Sequence, residues 1–182
     1  VVFGLADNGY GETAGHVLHN NGFHGWLYEV DMGATTIWER WNSLMPDGTP
    51  NPDGMNSYNH YAYGSVMEFV YRRIAGIEAN EAGFAKIRIA PHPVKGLPSL
   101  RAEYGSVRGK IVSEYRQKDG KIEYVIEIPD GIEAEIALPE EDAVAVAAGR
   151  HPLVLDSEDL RCEPYKPERT VTELFENPKP VT

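Results

Sequence analysis

Lys118-Asp119-Gly120-Lys121-Ile122-Glu123-Tyr124-Val125-Ile126-Glu127-Ile128 places apolar side chains at Ile122, Tyr124, Ile126 and Ile128, with Glu123, Val125 and Glu127 between them. Successive side chains of an extended chain point to opposite faces, so this stretch predicts a strand with one buried face. The Asp119-Gly120 pair ahead of it suits the left-handed positions of a tight antiparallel hairpin, which predicts a partner strand ending near Lys118. Outward from the hairpin, segments 85–90, 100–104, 107–115, 132–138 and 144–148 have the same character and are punctuated by Pro and Gly. Short strands separated by turns predict an antiparallel β-sandwich, with Tyr104, Tyr115 and Tyr124 at alternating core positions.

Before residue 79 the apolar period lengthens. Tyr63, Val66, Met67, Val70, Tyr71 and Ile74 form a stripe at helical spacing. They predict a buried-faced helix from Ser57, capped by Asn56 and stopped by Gly76. Ala14, Val17 and Leu18 predict a helix over about 10–21, with Gly22 as its C-cap. Segment 22–28 reads as a Gly- and aromatic-containing loop, and 34–41 as a further helix, against which the β-branched Thr35, Thr36 and Ile37 count. The Pro-, Gly-, Asp- and Asn-rich stretch 46–54 reads as loop. The fold class is therefore α+β, with helices over 1–78, a sandwich over 79–165 and a Pro- and charge-rich irregular tail over 166–182.

The chain has 182 residues, 42% hydrophobic and 25% charged, enough apolar material for a packed core. Seventeen Lys and Arg stand against 28 Asp and Glu, a net charge of -11, with no basic cluster. Phosphate backbones and anionic membranes attract the opposite sign, so neither nucleic acid nor membrane is expected as a partner. Cys162 is the single cysteine and has no internal disulfide mate. With no basic, apolar leader in Val1-Val2-Phe3-Gly4-Leu5, that points to a reducing, cytoplasmic compartment, although sequence upstream of a fragment could hold a signal. His16 and His19 lie one helical turn apart but lack a nearby third ligand, so no metal and no cofactor is expected.

Residues 1–78 carry Arg40, Arg72 and Arg73 against nine acids, and hold all three tryptophans. Aromatic patches at 23–28, 38–41 and 58–63 sit among those acids. Flat sugar faces stack on aromatic rings, while carboxylates and imidazoles bind hydroxyls and transfer protons, so this mixture is a carbohydrate-site vocabulary. Glu39, between Trp38 and Trp41, is the candidate carboxylate. Thr36-x-x-Glu39 also reads as a helix capping box, and Arg40 could pair with Glu39. His60 reads as a hydroxyl ligand or as a satisfied core histidine, and Trp26 as a sugar platform or a core residue. Glu29 and Asp31 read as structural acids at the turn into the Glu39 helix.

Residues 33–41, Gly-Ala-Thr-Thr-Ile-Trp-Glu-Arg-Trp, resemble the GATTIWERW signature of glycoside hydrolase family 78 α-L-rhamnosidases. Asn59-His60-Tyr61-Ala62-Tyr63-Gly64 is similar to the NHYAYG stretch that follows at the expected spacing. His24-Gly25-Trp26-Leu27-Tyr28 matches in part the family's Pro-Ser-Trp-Gly-Tyr stretch. The resemblance covers about residues 1–140, weakening in the sandwich. It implies the closing helices of an (α/α)6 barrel followed by a β-sandwich, and hydrolysis of terminal α-L-rhamnosides with inversion. It also implies that Glu39 is the general base, that His60, which the helical spacing puts in a helix's first turn, contacts the sugar, and that Trp26 and Trp38 help bind it.

A twelve-helix barrel at ~11–12 residues per helix exceeds this chain, which supplies about three helices. The general acid has no counterpart, since Asp7 reads as a loop residue without the family's acidic context. The expectation is an enzyme fragment with little or no activity alone. Its partners would be a rhamnose-containing carbohydrate and the remainder of the barrel. Its bare helix faces would pack on the sandwich or on a second copy, giving a homo-oligomer. Two rival readings are a carbohydrate-binding sandwich module, marked by aromatics lined up on a solvent face, and a structural cap, marked by buried ones.

Overall fold

The computed structural model describes residues 1–23 and 25–157. The expected irregular tail, the last residues of the expected sandwich segment and Cys162 lie outside the described residues. The strands are β1 (Ile77–Ala79), β2 (Lys86–Ile89), β3 (Ser99–Ser106), β4 (Gly109–Lys118), β5 (Lys121–Ile128), β6 (Glu133–Ile136), β7 (Val144–Val146) and β8 (Gly149–Asp156). They form two four-stranded sheets, ordered β1-β2-β6-β7 and β3-β4-β5-β8.

The hairpin closes as its turn residues predict, with Lys118 opposite Lys121, Asp119 at φ +50° and Gly120 at φ +75°. Ile122, Tyr124, Ile126 and Ile128 are all buried, and so is Tyr115 across the sheet. Burial pushes the Tyr124 hydroxyl pKa up to about 12 and raises that of Tyr115 further. Tyr104 departs from its expected core position: it is 38% exposed on edge strand β3 and stacks on Phe84. Two strands escape the sequence pattern. β1 has only three residues, and β8 contains Pro152, whose missing N–H is tolerated because β8 is an edge strand. One pairing is parallel, β2 with β6, because the chain passes through the other sheet between them.

The helices are α1 (Val2–Asp7), α2 (Gly11–Leu18), α3 (Trp26–Asp31) and α4 (Val66–Phe69). Neither α1 nor α3 is marked by a clear apolar period. Asp7 therefore ends a helix rather than lying in a loop, and its carboxylate accepts from Arg73 Nε at 2.8 Å. That guanidinium holds the Asp7 carboxyl below the usual range. α2 stops at Leu18 with His19 as its C-cap, short of the expected Gly22.

The helix expected from Ser57 begins later, with a 3₁₀ turn Ala62–Ser65, then α4, then a π-turn Val70–Ile74 in which the Ala75 N–H donates to the Val70 carbonyl. The wide turn brings residues five apart onto one face, so Phe69 and Ile74 are buried while Met67, expected inside, is 50% exposed. Asn56 does not cap it; its Nδ2 donates to the Ser43 carbonyl.

Helices and sandwich share one core, in which Val2, Ala14, Val66 and Phe69 join Ile87, Ile89, Ile111 and Tyr115. The chain crosses between them at Gly76, which has φ +71°. A Cβ on Gly76 would lie 2.1 Å from the Ala90 carbonyl carbon, so no other residue fits without backbone movement. The Gly76 carbonyl accepts from Ala90 N–H, and the buried Ser113 hydroxyl donates to the Ala75 carbonyl at 2.6 Å.

Gly76→Ala should therefore cost ~3 kcal/mol or more, combining a left-handed conformation with a backbone clash. Gly120→Ala, with open space around its Cβ position, should cost only ~1–2 kcal/mol. Urea unfolding of the two variants checks this, and equal losses would show that the close approach at Ala90 is not what constrains Gly76. Ser113→Ala should cost ~1–3 kcal/mol by leaving the Ala75 carbonyl unpaired, read in the same unfolding experiment.

Candidate functional site

Gly33, at φ +80°, follows α3, and the Ala34 N–H donates to the Glu29 carbonyl at 2.9 Å. Residues 34–41, expected to be helical, are instead irregular, because their backbone groups are used elsewhere. His60 N–H donates to the Ile37 carbonyl and Glu39 N–H to the Ser57 carbonyl, each at 2.8 Å. Segments 37–39 and 57–60 thus run antiparallel as a short clasp, which also delays the start of the following helix.

The capping box does not form. The Thr36 hydroxyl donates to the Tyr58 carbonyl, and Glu39 Oε2 accepts from the Ser57 N–H at 2.8 Å. The other oxygen, Oε1, has no partner among the described residues and is not sealed off from the surface. Arg40 Nη1 donates to the Asp53 carbonyl at 3.2 Å rather than pairing with Glu39.

Loop 42–58 is pinned from beneath by the fully buried Ser43. Its carbonyl accepts from Asn51 N–H, Asn56 Nδ2 and the Tyr58 hydroxyl. A bridge between Leu44 and Pro50 closes the loop's outer half.

The aromatic residues of this region pack on one another. Trp41 stacks on Tyr63 with centroids 4.8 Å apart, and Trp26 meets Trp41 edge-on at 5.4 Å. The half-buried Trp26 donates Nε1–H to the Tyr63 carbonyl at 3.1 Å. Trp38 is only 4% exposed and packs edge-on against Tyr58, so its ring backs the site and offers little face for stacking. His60 lies in the loop before the 3₁₀ turn, not in a helix's first turn. Its ring lies parallel to Tyr61, and Nδ1 accepts from the Ala62 N–H at 3.4 Å, which favours the tautomer with the proton on Nε2.

Glu29, expected as a structural acid at the turn into the Glu39 segment, is 2% exposed, and its Oε2 accepts from the Trp38 N–H at 3.2 Å. Burial pushes the Glu29 carboxyl up, opposed by that hydrogen bond. On α3 Glu29 lies beside Tyr28, which is buried as well.

Among the described residues no group of three or more His, Cys, Asp or Glu is placed to hold a metal, and His19 Nδ1 is bonded to the Gly15 carbonyl. No helix of the described residues is long and apolar enough to cross a membrane. In the sandwich, Tyr115 and Tyr124 are buried, which leaves no row of aromatics from the expected set on a solvent face.

Residues 1–74 match the bacterial alpha-L-rhamnosidase six-hairpin glycosidase domain, and residues 76–151 match the bacterial alpha-L-rhamnosidase C-terminal domain. The chain is 40% identical over 135 residues to an alpha-L-rhamnosidase of Streptomyces avermitilis, covering 74% of this chain and 13% of the relative. A crystal structure of the Streptomyces avermitilis alpha-L-rhamnosidase complexed with L-rhamnose superposes with a TM-score of 0.76 at 34% identity, over 84% of this chain and 17% of that one. The native alpha-L-rhamnosidase of Aspergillus terreus gives 0.78 at 32% identity, over 83% and 18%. The chain thus spans less than a fifth of the length of each of these proteins. With two consecutive domain matches from one kind of protein and the same fold across them, the chain belongs to the bacterial α-L-rhamnosidase family and corresponds to its C-terminal part.

Proposed function

We propose that this chain is part of an inverting α-L-rhamnosidase that releases terminal α-L-rhamnose, with Glu39 as the general base, His60 and Trp26 around the sugar, and the buried Trp38 as packing beside Glu39 rather than a sugar contact. The observation that carries this reading is the division of labour on Glu39. One carboxylate oxygen is held by the Ser57 amide while the other has no partner among the described residues. A general base needs such an arrangement: an orientation fixed by the protein and a lone pair left for the proton of the attacking water.

In inversion, Glu39 takes a proton from water as the water oxygen attacks the anomeric carbon. A carboxylic acid roughly 6.5–9.5 Å away on the opposite face protonates the departing oxygen. Asp7 does not fit the acid role here, since it is engaged by Arg73. The acid then belongs to the remainder of the barrel, and the isolated chain lacks both it and most of the sugar pocket. For the sandwich we favour the structural cap over a carbohydrate-binding module, because Tyr115 and Tyr124 are committed to the core.

In the full-length protein, Glu39→Gln keeps an acceptor for the Ser57 N–H but cannot take a proton. Its kcat on an aryl α-L-rhamnoside should fall ~10²–10⁴-fold with thermal unfolding unchanged, and the isolated chain should give no measurable turnover. A folded Glu39→Gln enzyme at nearly full rate would place the base elsewhere. Proton NMR of the first-formed product should show β-rhamnose, and initial α-anomer would exclude inversion. His60→Ala should raise KM about tenfold, the loss of roughly one hydrogen bond of ~1.4 kcal/mol.

A further inference from the structure

Three buried side-chain atoms lack a hydrogen-bond partner among the described residues: Glu29 Oε1, Trp41 Nε1 and Asn56 Oδ1. Glu29 is bonded to Trp38 and Asn56 to Ser43, and Trp41 lies two residues after Glu39. Buried polar groups are nearly always satisfied, and leaving one oxygen of a carboxyl without a partner is costly. A carboxyl kept inside under those terms needs a reason beyond packing, and its other oxygen supplies one. Glu29 Oε2 reaches nine positions along the chain to the N–H of Trp38, the residue next to Glu39.

The backbone around Glu39 is held on two sides. From the front, the Ser57 carbonyl accepts from Glu39 N–H, and the Ser57 N–H donates to the Glu39 side chain. From behind, Glu29 holds Trp38, while α3 is tied to the start of the same loop by the Ala34 N–H on the Glu29 carbonyl. The Trp38 ring, packed on Tyr58, fills the space between. Without the Glu29 acceptor the Trp38 N–H would be buried and unpaired, and the peptide leading into Glu39 would be free to rotate toward another acceptor.

We propose that Glu29 is a positioning residue of the rhamnosidase reaction: its carboxyl fixes the Trp38–Glu39 peptide, so that Glu39 meets the attacking water at the productive angle. This rests on the assignment of Glu39 as the general base. Glu29 touches no reacting atom and acts only through Glu39. Because a misplacement of about 1 Å at a reacting group can cost ~10²-fold in rate, the contact is worth more to kcat than to substrate binding.

The test is a mutant cycle in the full-length protein with an aryl α-L-rhamnoside. Glu29→Met removes the acceptor at similar volume, and should lower kcat ~10²-fold with KM within about threefold. Glu29→Gln, which keeps a carbonyl oxygen for the Trp38 N–H, should restore kcat to within about threefold of wild type. In a Glu39→Gln background, Glu29→Met should cost almost nothing further, since a residue acting through Glu39 has nothing left to position. If Glu29→Met does not fold, Glu29→Asp, which draws the acceptor back by about 1.5 Å, takes its place in the cycle. Folded Met or Asp variants at full kcat, a Gln variant as impaired as Met, or additive losses in the double variant would each overturn the proposal while leaving Glu39 as base. Full activity of Glu39→Gln would instead overturn the base assignment, and the positioning role with it.

Discussion

The approach of Gly76 to Ala90 is the contact on which the arrangement of the whole chain depends. At this point a π-turn ends, the backbone takes a left-handed step and the first strand begins, with 2.1 Å between the Ala90 carbonyl carbon and the place a Cβ would occupy. Hydrogen bonds from Ala90 to Gly76, from His92 to Ile74 and from Ser113 to Ala75 tie three consecutive helical-side residues to the sandwich. Helical segment and sandwich therefore share one core and are not beads on a linker. Phe69 and Ile74 lie in that shared core together with the buried face of the sandwich, which is the packing the proposed cap role relies on.

The candidate site is built without regular secondary structure. Glu39 sits in an irregular stretch, yet the Ile37 carbonyl and the Trp38 and Glu39 N–H groups are bonded to His60, Glu29 and Ser57. Such a construction holds one carboxylate oxygen on the Ser57 amide while the other stays unbonded among the described residues. Trp38, Tyr58, Trp41 and Tyr63 fill the frame, and their edge-on and stacked contacts replace the packing that a regular element would supply.

The departures from the sequence reading cluster in this region. The 34–41 segment has the composition of a helix start, with Thr36 and Glu39 at capping spacing, but both side chains find partners about 20 residues away. Met67 lay on the apolar stripe and came out half exposed, because the π-turn shifts the buried face to Phe69 and Ile74. Glu29 and Asp31 read alike as structural acids at a turn, and of the two only Glu29 is buried. In the sandwich the misses are smaller: a three-residue strand, a strand carrying proline on an edge, and one parallel pair.

What the sequence determined by itself is what depends on near neighbours. The two-residue period of β5, the Asp119-Gly120 turn and the stop at Gly76 are legible because side-chain alternation and backbone handedness act within a few residues. The Gly-Ala-Thr-Thr-Ile-Trp-Glu-Arg-Trp run pointed to Glu39 through its resemblance to the family signature, where spacing alone also allowed a capping box. Only the tertiary structure decided that Glu39 leaves the helix its spacing suggested, that Ser57 grips one of its oxygens, and that Glu29 is buried behind it. Those outcomes turn on which distant backbone groups compete for the same hydrogen bonds once water is excluded, and no local period encodes that competition.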